Sequence, residues 1–268
     1  MKLNLLGVIS LFCLMAMSLG NAQISLAPLY AKLEPEPNGQ MQTTFVVAND
    51  SDEPVRFRAR FSPFNFDETT IQLLDNIDDG SDLSSYLRAA PLEFEIPAFG
   101  SQIIRIIALV PPSILAEELR AALILEPLLD ESTFQQSNND ALSGQILLTY
   151  RFAAQIYIGG AGTANMQIKN VKYNPDEGMR VIISNDTSVS GIINVEWKLL
   201  QEEKEVAESQ EPARFIVLKQ DQRTNVLASS LELKPGEYTL TGTFGTEDGG
   251  EPPVVLNPQP FTKTFTVK

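Results

Sequence analysis

Histidine is missing from all 268 residues, and cysteine and tryptophan each occur once. Without histidine there is no Ser-His or Cys-His nucleophile and no imidazole to bind zinc. The single cysteine, Cys13, lies within fifteen residues of the start. If that stretch is removed on export, as the pattern around it indicates, no thiol chemistry and no disulfide remain. Positive charge is scarce: 20 Lys and Arg stand against 34 Asp and Glu, a formal net charge of −14. That balance repels nucleic acid and anionic lipid, and leaves proteins, cations or neutral ligands as partners. Beyond the amino terminus no apolar run reaches the roughly 18 residues of a membrane-crossing helix, so membrane insertion is not expected.

Lys2 is followed by an apolar run from Leu3 to Met17 and then by Gly20, Asn21 and Ala22, small residues of the kind a signal peptidase reads. Residues 1–22 are therefore expected to be a cleaved signal peptide. Phe12 stands before Cys13, where a lipoprotein signal needs a small residue, which argues against lipidation.

The mature chain opens as a series of short strands. Ile24 to Leu33 is an opening strand, turned by Pro35 to Gly39; Thr43 to Ala48 is a second and ends at Asn49-Asp50-Ser51. Val55, Phe57, Ala59 and Phe61 alternate with Arg56, Arg58 and Arg60, one face inward and one wet. Leu92, Phe94 and Ile96 alternate with glutamates, Ile103 to Val110 is apolar on both parities, and a strand from Glu118 runs through Leu125. With the stretch from Gly144 to Gly160 these make about seven strands at the spacing of a sandwich.

GQILLTYRFAAQIYIGG, residues 144–160, gives apolar side chains to both faces. One face can pack in its own domain, while the other calls for a second partner. Gly159, Gly160 and Gly162 then suggest a hinge.

A second set of strands begins beyond the glycines. Met166, Ile168, Val171 and Tyr173 slip parity once, as a bulge requires. Further strands fall at Met179 to Ile183, Ile193 to Leu199, Phe215 to Leu218, Tyr238 to Phe244 and Phe261 to Val267, with Trp197 expected at the centre of the second core. The acidic run from Gln201 to Glu211 reads as a solvated hairpin or edge. VVANDS at 46–51 and IISNDT at 182–187 echo each other, each an apolar second strand closing on an Asn-Asp turn. The expected fold is all-β, two tandem immunoglobulin-like β-sandwich domains over 23–160 and 161–268.

Asp75, Asp78, Asp79 and Asp82 surround Gly80, but calcium-loop spacing would place Ile77 and Tyr86 at ligand positions, so a polar loop is expected and no metal. The glycines near 160 complete no dinucleotide fingerprint, and the acidic clusters fall in turns. A non-enzyme without a cofactor is expected.

The order ISLAPLYAKLEP, FVVANDS, PLEFEIPAFGSQIIRI, LRAALILEP and ILLTYRFAAQIYI resembles the amino-terminal domain of PapD-like periplasmic chaperones of the chaperone-usher pilus pathway, over roughly Gln23 to Ile158. The resemblance implies two immunoglobulin-like domains with a cleft between them, and a periplasmic protein. It implies partners too: pilin-like or other surface-fibre subunits, and an outer-membrane usher. Such chaperones lend their last first-domain strand to a subunit's incomplete sandwich and anchor the subunit's terminal carboxylate with basic residues. Carried over, Ile146, Leu148 and Tyr150 are the alternating donors and Arg151 follows them as the anchor. Where the family places a cleft arginine this chain has Tyr30, whose hydroxyl can hydrogen-bond a carboxylate without neutralising it. The competing expectation is a structural or adhesive tandem β-sandwich module of a cell-surface complex.

Overall fold

The computed structural model describes residues 24–34, 41–67, 70–128, 150–160, 164–245 and 259–268. The expected signal peptide, including Cys13, and the expected donor positions Ile146 and Leu148 lie outside the described residues. The first lobe contains β1 (Ile24–Ala27), β2 (Tyr30–Leu33), β3 (Met41–Asn49), β4 (Val55–Ser62), β5 (Phe64–Asp67), β6 (Thr70–Leu73), β7 (Leu87–Ala90), β8 (Glu93–Ile96), β9 (Ser101–Ala108), β10 (Leu119–Pro127) and β11 (Phe152–Ile158). The second contains β12 (Met166–Asn174), β13 (Gly178–Asn185), β14 (Gly191–Gln201), β15 (Lys204–Glu208), β16 (Ala213–Val217), β17 (Asp221–Ala228), β18 (Gly236–Gly245) and β19 (Gln259–Val267). No α-helix occurs among the described residues.

The chain is all-β, two immunoglobulin-like sandwiches in tandem. In the first, sheet β1-β3-β9-β7 packs on sheet β2-β11-β10-β4-β8, and β5-β6 forms a separate hairpin. In the second, β12-β13-β17 packs on β15-β14-β18-β19, with β16 sharing the β15 edge of β14. Each sandwich closes over its own core. Phe45, Ile104, Ile106, Leu123 and Ile156 are fully buried in the first; Val181, Ile193, Leu199 and Leu240 are as deep in the second, and Trp197 joins them as expected. A side chain of this size taken out of water stabilises the fold by about 1.5–3 kcal/mol.

Four differences from the sequence pattern have local causes. The opening stretch is not one strand: Pro28, with no N–H to give a ladder, separates β1 from β2, and the two join opposite sheets. The hairpin β5-β6 and the strand β7 leave no periodic signal because each strand has only four residues. β17 leaves none because DQRTNV lacks apolar alternation; Asn225 is its buried side chain where an aliphatic one would signal a strand. Leu92, expected inward, precedes β8 and is exposed. Elsewhere the patterns hold. The parity slip in β12 is a register shift between Ile168 and Asn170, Pro112–Ile114 is a single 3-10 turn ahead of the strand that begins at Leu119, and the acidic run forms the edge strand β15.

The Asn-Asp echo is structural. The buried Asn49 side chain accepts hydrogen bonds from the Ser51 amide (3.0 Å) and hydroxyl (2.6 Å). Buried Asn185 accepts from the Thr187 amide (3.2 Å) and hydroxyl (2.6 Å) in the same way. Each turn is thus pinned to its sandwich by one amide side chain.

Candidate functional site

Cross-strand register assembles one polar face on the outside of the five-stranded sheet. Tyr30 lies opposite Gln155, Gln155 opposite Ala122 and Ala122 opposite Ser62. The next row is Ala153, Ile124 and Arg60, and the one after sets Glu126 against Arg58. Residues two apart on a strand share a face, so Arg58, Arg60 and Tyr30 all look the same way. Arg60 Nε donates to Glu126 Oε1 at 2.7 Å, and Arg151 Nε lies 3.4 Å from that same oxygen. Arg58 is taken by Glu93, 2.6 Å away. Exposed pairs of this kind contribute little stability, yet they set the charge a ligand meets. Arg151, the expected anchor, shares one carboxylate with Arg60, so part of its charge is already compensated.

Tyr30 is met from across the junction. Arg214, on β16 of the second lobe, stacks its guanidinium over the Tyr30 ring, 5.0 Å from the centroid, and donates a hydrogen bond to the Tyr30 hydroxyl. Among the described residues no carboxylate pairs with Arg214. A cation from the second lobe thus stands directly over Tyr30. Sequence reasoning misses Arg214 because the contact joins residues 184 apart, and nothing in EPARFIV marks its arginine as different from any strand arginine. Tyr150 is exposed and, with Arg151, immediately precedes β11.

The junction that brings Arg214 to Tyr30 is firmly built. Gly159 and Gly160 have φ of +72° and +71°, the left-handed region that side chains avoid. A Cβ on Gly159 would stand 2.5 Å from the Glu117 carbonyl oxygen and 2.7 Å from that of Leu115. Glu118, almost fully buried, accepts from the Ser190 amide at 2.6 Å and the Ser190 hydroxyl at 2.5 Å, while Lys219 Nζ donates to the Glu118 carbonyl at 3.0 Å. An apolar patch adds to this: Phe64, Ile124 and Tyr157 of the first lobe pack with Leu218 of the second, and Arg223 lies 3.7 Å from the centroid of the Phe66 ring. Burial, helped by the Glu118 charge, pushes the Tyr157 phenol far above its ordinary value, so it stays neutral and donates to Gln155 Oε1 at 2.5 Å. The two-faced hydrophobicity of residues 144–160 is thereby explained in part. Ile156 fills the first core, and Tyr157, facing the other way, is covered by the second lobe rather than left for docking.

In the loop ahead of β7, the carboxylate of Asp79 accepts from the Ser81 amide and hydroxyl and from Arg120 at 3.2 Å. Partial desolvation opposes its charge, but the Ser81 hydrogen bonds and the Arg120 guanidinium outweigh that and hold its carboxyl below the usual range. The acidic loop is a brace for Arg120.

Fold and face define a two-lobed β-sandwich protein with a group of arginines beside its junction. No family model matches the chain, and no curated protein does. Many solved structures similar to it are periplasmic chaperones of chaperone-usher pili. A chaperone and tip-subunit pre-assembly complex from the archaic chaperone-usher Csu pili of Acinetobacter baumannii aligns at 13% identity and a TM-score of 0.48, covering 90% of this chain and 98% of that one. The CupB2 chaperone of Pseudomonas aeruginosa aligns at 13% identity, TM-score 0.44, covering 90% and 98%. A complex of the SafA pilin with the SafB chaperone from Salmonella enterica aligns at 10% identity, TM-score 0.44, covering 90% and 96%.

Proposed function

We propose that this protein is a periplasmic assembly chaperone, not an enzyme, that holds a pilus-type or other surface-fibre subunit by donating the strand around Ile146 and Leu148, with an usher as a further partner. On this reading residues 1–22 are the signal peptide, 23–160 the subunit-binding domain and 161–268 the far wall of the cleft. The observation that carries the reading is the incompletely paired edge of β11. β10 covers one side of β11 along its whole length, but β2 covers the other only from Gln155 to Ile158. Among the described residues no strand pairs with Phe152, Ala153 or Ala154 on that side. A free edge of this kind offers main-chain hydrogen bonds to an incoming strand, and alternate side chains can fill its pockets. Ile146, Leu148 and Tyr150 have the same parity as Phe152, Ala154 and Ile156, the residues of β11 that look into the sandwich.

Co-expression with a candidate fibre subunit tests this. The wild type should keep the subunit soluble and co-purify with it, and Ile146→Asp with Leu148→Asp should lower recovery about tenfold or more, since a buried charge in the donor strand is left unpaired. Equal recovery would rule out strand donation.

The carboxylate anchor falls, on the same reading, to Arg214 with the Tyr30 hydroxyl, and Arg151 has a lesser share because Glu126 holds it. Arg214→Ala should weaken binding of a subunit with a free terminal carboxylate by about tenfold, the worth of one charge-assisted hydrogen bond. Binding of the same subunit amidated at its terminus should not change. Isothermal titration of both forms decides the assignment, and Arg151→Ala should give the smaller effect.

A further inference from the structure

The outer face of the sheet β1-β3-β9-β7 is unlike the rest of this acidic protein: none of its four strands contains an aspartate or glutamate. Val46 and Ile103 lie directly opposite each other on it, 41% and 58% exposed, and Ala27 extends the row to the edge strand β1. Ile107 lies on the same face, two residues from Arg105 and opposite Arg88. Arg105 pairs with no carboxylate among the described residues, and Arg88 donates only to the backbone carbonyls of Ser85 and Leu87. An aliphatic row beside two arginines, with no acid among them, is a poor solvent face and a good contact face.

The chain's own second lobe cannot cover this face. The lobe junction is built on the outside of the other sheet, through Ile124 and Tyr157. Nor does the face suit a copy of itself, since its strands hold no acid to pair with the other copy's arginines. The complementary surface lies elsewhere on the same chain: between Glu196 and Glu211 six glutamates stand against two lysines, and Lys198 is already held by Glu205 and Glu208. At the centre of that ribbon, on β15, an edge strand among the described residues, Val206 is 48% exposed. We propose that the outer face of β1-β3-β9-β7 docks the β15 ribbon of a second copy of this chain. Val206 lies over the Val46-Ile103 row, and the ribbon's carboxylates meet Arg105 and Arg88.

The contact joins two different patches, so it is head-to-tail and leaves one of each free. Four strands at about 4.8 Å spacing and eight residues at about 3.3 Å give a face on the order of 500 Å², below the roughly 800 Å² per partner of a stable complex. Association is therefore weak, reversible and sensitive to salt.

Sedimentation velocity on the exported chain, from about 10 μM to about 1 mM at low salt, should show the mean mass rising with concentration. About 0.5 M salt should return it to the monomer. Ile103→Glu and, separately, Arg105→Glu should each raise the dissociation constant about tenfold or more with the melting midpoint unchanged, because both side chains are exposed. Combining Arg105→Glu with Glu202→Arg and Glu203→Arg should restore association. A monomer at every concentration overturns the proposal, as does self-association that Ile103→Glu leaves intact. Failure of the ribbon reversal to rescue removes β15 as the occupant.

Discussion

Replacing Gly159 with valine should cost roughly 3–5 kcal/mol of stability, among the largest effects of any single change in this protein. Two independent penalties meet at that residue. Its φ of +72° is a conformation that costs a β-branched side chain about 1–3 kcal/mol. Its Cβ would also overlap the carbonyl oxygens of Glu117 and Leu115, at 2.5 and 2.7 Å, and both belong to backbone that cannot rotate away. Asparagine separates the penalties, because it tolerates the left-handed region but brings the same Cβ. Urea denaturation of the two variants should therefore show Gly159→Asn recovering only the conformational share of the loss. If Gly159→Asn is as stable as wild type, the close approach of the Leu115–Glu117 segment is not a constraint. Small-angle scattering adds a second readout. A chain that relieves the overlap by swinging its lobes apart must break the Glu118 to Ser190 hydrogen bonds and will gain radius of gyration.

The strands legible in the sequence are those whose burial is decided within one sandwich. Phe57 and Ala59 point inward while Arg56 and Arg58 point out, and the period of two is enough to say so. Met166 to Tyr173 even shows its bulge as a slip in parity. What sequence cannot show is anything decided between sheets or between lobes. Pro28 splits the opening stretch across two sheets, and no pattern in ISLAPLYAKL says which half goes where. Glu118 looks like any acidic residue before a strand, yet it is buried because Ser190, 72 residues on, supplies two donors. The polar strand β17 is hidden because Asn225 occupies a buried position. The candidate site divides the same way. Tyr30 and Arg151 are reached only through the resemblance, position by position, whereas the shared carboxylate Glu126 and the opposing Arg214 come from pairings that only the folded chain makes. The apolar residues of β9 on both parities are visible in the sequence, but not that Ile103 and Ile107 remain on an outer face free of acids.

The second large effect should come from Asn185→Leu, and its comparison with Asn49→Leu separates fold stability from lobe geometry. Leucine matches asparagine in shape and removes every hydrogen bond. At Asn49 that strands the Ser51 amide and takes the side-chain donor from the Pro97 carbonyl, which keeps the Gly100 amide, while the Ser51 hydroxyl and the Glu53 carbonyl still bond each other at 3.0 Å. At Asn185 it strands the Thr187 amide and the Val217 carbonyl (3.3 Å), while the Thr187 hydroxyl and the Val189 carbonyl still bond each other at 3.2 Å. Each buried group left unpaired costs about 1–3 kcal/mol, so with the turn hydroxyls still paired a loss of roughly 2–3 kcal/mol is expected in each lobe. The consequences differ because of what the turns carry. The Asn49 turn is braced only within the first sandwich, against the end of β8. The Asn185 turn ends at Val189 and hands the chain directly to Ser190, whose amide and hydroxyl hold Glu118, and the Val217 carbonyl lies next to Leu218 and Lys219 at the junction. Asn49→Leu should thus destabilise the first lobe while leaving the junction amides protected in native-state hydrogen exchange. Asn185→Leu should lower protection at Ser190 and Lys219 and weaken the proposed subunit binding as well, because Arg214, on the strand that ends at Val217, would no longer be held over Tyr30. If Asn185→Leu loses stability but keeps both junction protection and binding, the turn does not govern how the lobes meet.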